Sequence, residues 1–174
     1  TFAGPMVAVD FYDEVSEYTS EFFWETITSN KKIGKIKYPE NQKLPFLQKG
    51  TASGRIVGGN LAVFAHLLGT PYFPNLTGKI LMIEDIGELP YRVDRMLNQL
   101  RLAGVFKKVK GIILGRVVDC HEHDPNKKTL TLGEVIADYI TPVKVPSIYT
   151  FPHGHIKDLV TIPFGLKINL NATK

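Results

Sequence analysis

The run of apolar and polar positions divides the chain into a helical start, a polar stretch, and a longer part in which strands and helices alternate. After Gly4-Pro5, Phe11, Val15, Tyr18 and Phe22 recur at spacings of four, three and four, which places them on one helical face. Trp24 and Ile27 extend that surface, and Asp13 and Glu14 suit a helix N-terminus. Asn30 to Gly50 is polar, rich in lysine and carries Pro39 and Pro45, which reads as a linker with one short strand at Ile33 to Tyr38. Thr51 to Val57 suits a strand that Gly58-Gly59-Asn60 should break. A short helix, Leu61 to Leu68, follows with Asn60 as its N-cap and Gly69 and Pro71 as its stop.

The apolar run Lys79 to Glu84 then reads as a buried strand that ends in a cluster of acids, Glu84, Asp85 and Glu88. Pro90 fits a first helical position, Val93, Met96, Leu97 and Leu100 form one apolar face, and Gly104 ends the helix. Lys110 to Val118 predicts another strand, and Thr131-Leu132-Gly133-Glu134 is a capping-box pattern opening a helix to Tyr139. The last third reads as strands at Pro146 to Phe151, Leu159 to Pro163 and Leu166 to Leu170, separated by Pro and Gly turns. The fold class is therefore α/β or α+β, with the sheet order left open.

Composition narrows the function classes. With 174 residues, 44% hydrophobic and 22% charged, the chain suits one globular domain with a substantial core, or one and a half small ones. Its net charge of +4 comes from scattered lysines and arginines, which argues against a nucleic-acid surface. No apolar run approaches a membrane span, and no signal pattern opens the chain. The single cysteine, Cys120, forms no internal disulfide and fits a reducing compartment. The abrupt start at Thr1, without a methionine, suggests a piece of a longer protein.

Candidate chemistry falls in two places. A carboxylate at the end of a buried strand is held by the scaffold, so Glu84 is the first candidate. Phe151-Pro152-His153-Gly154-His155 offers a histidine in a Pro/Gly-shaped turn, suited to general-base work near neutral pH. Glu84 and His155 stand 71 positions apart, so spacing leaves open whether they meet or are a solvated acid and a surface histidine. His66, on the short apolar helix, reads as partly buried structure. The second place is Cys120-His121-Glu122-His123-Asp124, where His121 and His123 share a face if the segment is extended. Adjacent residues in one short loop rarely converge on a metal without a distant fourth ligand, so an exposed polar loop is the simpler reading. None of Ser16, Ser20, Ser29, Ser53 and Ser147 sits in a Gly-x-Ser-x-Gly elbow, and Cys120 has no activating helix start, so no nucleophile stands out.

Several segments, taken in order, resemble the C-terminal half of LD-carboxypeptidases, the serine peptidases of bacterial murein recycling. They are Gly54-Arg55-Ile56-Val57-Gly58-Gly59-Asn60-Leu61, Gly69-Thr70-Pro71-Tyr72, Ile83-Glu84-Asp85-Ile86-Gly87-Glu88 and Pro90-Tyr91-Arg92-Val93-Asp94-Arg95. Gly154-His155, Pro163-Phe164-Gly165 and the opening Gly4-Pro5 fit the same order. The resemblance implies an α/β, swivelling β/β/α-type C-terminal domain over residues 49–174, with residues 1–48 the tail of an N-terminal domain plus linker. It implies a Ser-Glu-His triad in which Glu84 matches the family's glutamate, with Ile83 in place of the usual leucine, and His155 matches its histidine. The serine would belong to the N-terminal domain, so this chain alone should be inactive.

The reaction implied is hydrolysis of the amide to the terminal D-alanine of a murein tetrapeptide, in the cytoplasm and without a cofactor. The implied partners are that substrate, the chain's own N-terminal domain and a homodimer mate, with neither nucleic acid nor membrane among them. Asn60 and the Gly58-Gly59 turn are candidates to face the substrate, although N-capping explains Asn60 as well. Asp85 and Glu88 are expected to pair with Arg92 and Arg95. Two alternatives stand beside this reading: a microcin-immunity type hydrolase of peptide-nucleotide antibiotics, and a metal-binding or interaction module at Cys120–Asp124.

Overall fold

Leu81 and Ile83 face one side of a central strand, Ile80 and Met82 the other, and this alternation divides the molecule into two cores. The computed structural model describes residues 1–12, 14–39 and 45–173. Its strands are β1 (Phe2–Ala3), β2 (Phe46–Gln48), β3 (Gly50–Asn60), β4 (Ile80–Ile86), β5 (Gly111–Val118), β6 (Ser147–Ile148), β7 (Ile162–Pro163) and β8 (Lys167–Ala172). Its α-helices are α1 (Glu17–Thr28), α2 (Leu61–His66), α3 (Pro90–Leu102) and α4 (Leu132–Ile140). Six strands form one sheet in the order β2-β6-β5-β4-β3-β8, and β1 pairs separately with β7. Strands β3, β4, β5 and β6 run parallel, while β2 and β8 close the two edges antiparallel. The architecture is mixed α/β with short helices.

The parallel strands are joined through α2, α3 and α4, which cover one face. Leu61, Val93, Leu97, Leu100, Val135 and Ile140 pack there against Leu81, Ile83, Ile112 and Leu114. Burying each such side chain contributes about 1.5–3 kcal/mol. The opposite face is covered by α1 and the chain's last third, with Tyr18, Phe22 and Phe151 against Ile80, Met82 and Ile113. At Thr131 both halves of the capping box form, and Gly104 takes a φ of +72° where α3 stops.

Four expectations need correction. First, the N-terminal helix begins only at Glu17, where the Ser16 hydroxyl accepts the Thr19 N–H, so Phe11 and Val15 precede it. Trp24 and Ile27 are exposed, and the helix buries Thr19 and Thr26 instead. Asp13, expected near the helix start, lies outside the described residues. Second, Ile33 to Tyr38 forms no strand, and Gly34 turns the backbone there with a φ of +79°. The edge strand is Phe46–Gln48, beginning eight positions beyond Tyr38 in what reads as linker. Third, Gly58 and Gly59 do not break β3, which runs on to Asn60. A Cβ at Gly58 would run into the Met82 carbonyl, so glycine here lets β3 lie close beside β4. Fourth, β6 and β7 are shorter than expected, with Thr150 at φ +59° just beyond β6, while β8 runs past Leu170 to Ala172.

Candidate active site

Continuing the alternation of β4 past Met82 directs Glu84 and Asp85 to opposite faces. Glu84, only 6% exposed, turns toward the segment that carries the two late histidines. That segment stays beside β5 through single hydrogen bonds, with the Phe151 N–H donating to the Leu114 carbonyl and the Arg116 N–H to the His153 carbonyl. It then bends at Gly154, φ +125°, and sets His155 Nδ1 3.0 Å from Glu84 Oε2. An ionised carboxylate only accepts, so Nδ1 carries the proton and Nε2 is left as the basic nitrogen.

Two glycines make this approach possible. A Cβ at Gly154 would stand 2.9 Å from Glu84 Oε2 and 3.0 Å from the Arg116 carbonyl. One at Gly115 would stand 2.6 Å from the His153 carbonyl and 2.9 Å from Glu84 Cβ. The β4–β5 register also shifts between Ile83 and Asp85, beside Glu84, as bulges near functional sites often do.

Electrostatically the pair is asymmetric. Burial pushes the Glu84 carboxyl above the usual carboxylate range, while the His155 hydrogen bond and charge pull it back and the Asp85 charge pushes it up again. The His155 side chain is 40% exposed, so its free edge can meet a reactant. His153 is a different case. It is buried, its Nδ1 is 2.7 Å from the Val160 carbonyl, and burial holds its pKa below the ordinary histidine value. His153 therefore buttresses the turn as a neutral ring.

Thr19 of α1 also supports the turn, a role that periodicity gave no means of finding. Its hydroxyl donates to the Lys157 carbonyl at 2.6 Å and accepts the Leu159 N–H at 2.9 Å, tying the helix to the residues just after His155. The signal available was a threonine on the face expected to be apolar.

Asn60 lies in register with Glu84 across the parallel pair. Its Oδ1 accepts the Val63 N–H at 3.1 Å, which is the expected N-cap, and its Nδ2 donates to Asp85 Oδ1 at 2.8 Å. The same amide lies against the Glu84 carboxyl and favours its charged form. Asp85, 2% exposed, accepts from Asn60, from the Ala62 N–H at 3.0 Å and from the Ile86 N–H at 2.9 Å. It is thus a buried acceptor and not the expected partner of an arginine. Glu88 does pair with Arg92, at 3.4 Å on the surface.

His66 is exposed, against the expectation of partial burial, with Nδ1 2.6 Å from the Ala62 carbonyl one turn back. Cys120 is buried and its sulfur accepts the Glu88 N–H at 3.3 Å, while burial pushes its thiol pKa up, the reverse of an activated nucleophile. Ser147 is fully buried. Among the described residues no side-chain hydroxyl is hydrogen-bonded to His155. The arrangement can take up and return a proton at one imidazole nitrogen, and it needs a nucleophile to do so for.

Comparison with known proteins identifies this arrangement's setting. Residues 53–170 match the model of the LD-carboxypeptidase C-terminal domain. A "Probable murein peptide carboxypeptidase" of Bacillus subtilis is 36% identical over 178 residues, covering 100% of this chain and 54% of the relative. The crystal structure of muramoyltetrapeptide carboxypeptidase from Oxalobacter formigenes superposes with a TM-score of 0.82 at 32% identity, covering 99% of this chain and 57% of that one. The Microcin C7 self-immunity protein MccF of Escherichia coli is 29% identical over 160 residues, 88% of this chain and 45% of the relative. The chain thus spans about half the length of the curated relatives it matches. It belongs to the LD-carboxypeptidase family and has the fold of that family's C-terminal domain.

Proposed function

We propose that this chain supplies Glu84 and His155 as the acid–base arm of a serine carboxypeptidase that hydrolyses the amide to the terminal D-alanine of a murein tetrapeptide. The observation that carries the reading is the 3.0 Å contact between His155 Nδ1 and a buried Glu84 oxygen, which leaves Nε2 at the surface. In this mechanism Nε2 takes the proton from the serine hydroxyl as its oxygen attacks the scissile carbonyl. His155 then returns that proton to the amine of the departing D-alanine. A water deprotonated at the same nitrogen releases the acyl group from the serine. Glu84 holds the ring in the required tautomer and stabilises its charged form. Asn60, engaged at both ends of its amide, is assigned to holding the acid arm in place of touching substrate.

The serine is assigned to an N-terminal domain outside this chain, with residues 1–48 as the tail of that domain and linker, and residues 49–174 as the C-terminal domain. Murein recycling in the cytoplasm is the setting this substrate implies. A second reading is cleavage of peptide-nucleotide antibiotics by a microcin-immunity type hydrolase. It is favoured by the likeness to MccF, one of whose structures holds aspartyl sulfamoyl adenosine and superposes with a TM-score of 0.78.

The test is release of D-alanine from murein tetrapeptide by the purified chain, alone and joined to a serine-bearing N-terminal half. Release only by the joined protein is expected. Release by the chain alone would refute the placement of the nucleophile. A joined protein that spares the tetrapeptide but cleaves aspartyl sulfamoyl adenosine would establish the second reading instead.

A further inference from the structure

Beyond β5 the chain runs Asp119-Cys120-His121-Glu122-His123, and its residues alternate between two tasks. Cys120 points inward and accepts the Glu88 N–H, and Glu122 binds Lys127 Nζ at 2.8 Å and the Asp124 N–H at 3.3 Å. These anchored residues fix the loop from within. Asp119, His121 and His123 are all exposed, and one ligand atom from each lies within 4.8 Å of the others. His121 Nδ1 stands 3.4 Å from Asp119 Oδ1, and the two imidazole centroids are 4.5 Å apart.

Those distances suit a metal. Bonds of about 2.0–2.1 Å to nitrogen and oxygen place neighbouring ligand atoms of a tetrahedron about 3.3–3.4 Å apart. The Asp119–His121 contact already has that length, and a rotation of the exposed His123 ring would close the other two edges. Imidazole and carboxylate donors together suit zinc, cobalt and nickel, and three protein ligands leave a coordination position for water. Lys127, four residues beyond His123, is held by Glu122.

We propose that Asp119, His121 and His123 bind one divalent ion of the zinc, cobalt and nickel class, with an open position facing solvent. Cys120, the second residue of the same stretch, takes no part because its sulfur is turned into the protein. The site is separate from the Glu84–His155 pair and does not depend on the proposed hydrolysis.

The test is calorimetric titration of the chain with zinc chloride, paired with the visible absorption of its cobalt(II) form. One ion per chain and the intense bands of a tetrahedral cobalt site are expected. Losing a single outer-shell partner costs about 10–100-fold in affinity, so His121→Ala with His123→Ala should weaken binding by at least about 100-fold. Both residues are exposed, so the double variant should keep its fold, checked by circular dichroism. Asp119→Asn gives a second probe, because asparagine tolerates the φ of +52° found there, and it should weaken binding about 10-fold. Absence of saturable zinc binding, or binding unchanged in the folded double variant, would overturn the proposal.

Discussion

Two clusters of ionisable side chains stand at the carboxyl ends of neighbouring parallel strands, and they are built in opposite ways. Glu84 and His155 come from distant parts of the sequence and meet where β4, β5 and the Gly154 turn close on each other. Asp119, His121 and His123 come from five consecutive residues and meet because the residues between them are anchored. Burial gives the first cluster a fixed geometry at an electrostatic cost, visible in the raised pKa of Glu84. Exposure leaves the second cluster free to rearrange, which suits capture of an ion and not the precise transfer of a proton. A site for chemistry needs support from several elements, whereas a chelating loop needs only local alternation.

Breaking the support of the first cluster should have a large effect, second only to removing His155 itself. Gly154→Ala puts a Cβ 2.9 Å from Glu84 Oε2, in a backbone conformation that alanine resists. A displacement of about 1 Å at a reacting group can cost about 100-fold, so kcat for tetrapeptide hydrolysis by the joined protein should fall about 100-fold. The chain should still fold, as judged by its circular dichroism.

Next comes the electrostatic cost itself. Because the folded-state pKa of Glu84 is raised, the native state binds more protons than the unfolded state over the window above the ordinary glutamate value. Glu84 therefore costs stability as pH rises through that window, and the cost disappears at lower pH, where both states are protonated. Glu84→Gln should raise the Tm at pH 7, and the gain should vanish near pH 3, where both states are protonated. An equal gain at both pH values would place its origin outside Glu84 ionisation. The smallest effect belongs to the exposed cluster: His121→Ala with His123→Ala should leave tetrapeptide hydrolysis within about twofold, the range typical of exposed surface changes, since neither histidine is bonded to Glu84 or His155.

What could be read from the sequence follows the same division between local and distant causes. The strand at Lys79–Glu84, the Pro90 helix and the Thr131 capping box are set by neighbours within one or two turns, and each forms within a residue or two of its expected bounds. The Gly58-Gly59 pair misleads because its reason lies across the sheet, at the Met82 carbonyl, and not in its own segment. The face of α1 is misread for a similar cause, since Thr19 is buried to hold Lys157 and Leu159. The contact of Glu84 with His155 was open on spacing alone and was expected only from the resemblance. In the exposed cluster the histidines were legible, but Asp119 was not. In sequence the candidate stretch is Cys120 to Asp124, whereas the residue that lies beside the two histidines is Asp119, and the Asp-x-His-x-His alternation is the signal for it.

The reading of Glu84 and His155 as an acid–base pair rests finally on loss of function. The joined protein, assayed for D-alanine release from murein tetrapeptide, should lose about 10⁶-fold in kcat on His155→Ala, the scale on which removing the base acts in such triads. A His155→Ala protein that still releases D-alanine within about tenfold of the unsubstituted rate would contradict it, since a positioned base contributes at least about 100-fold.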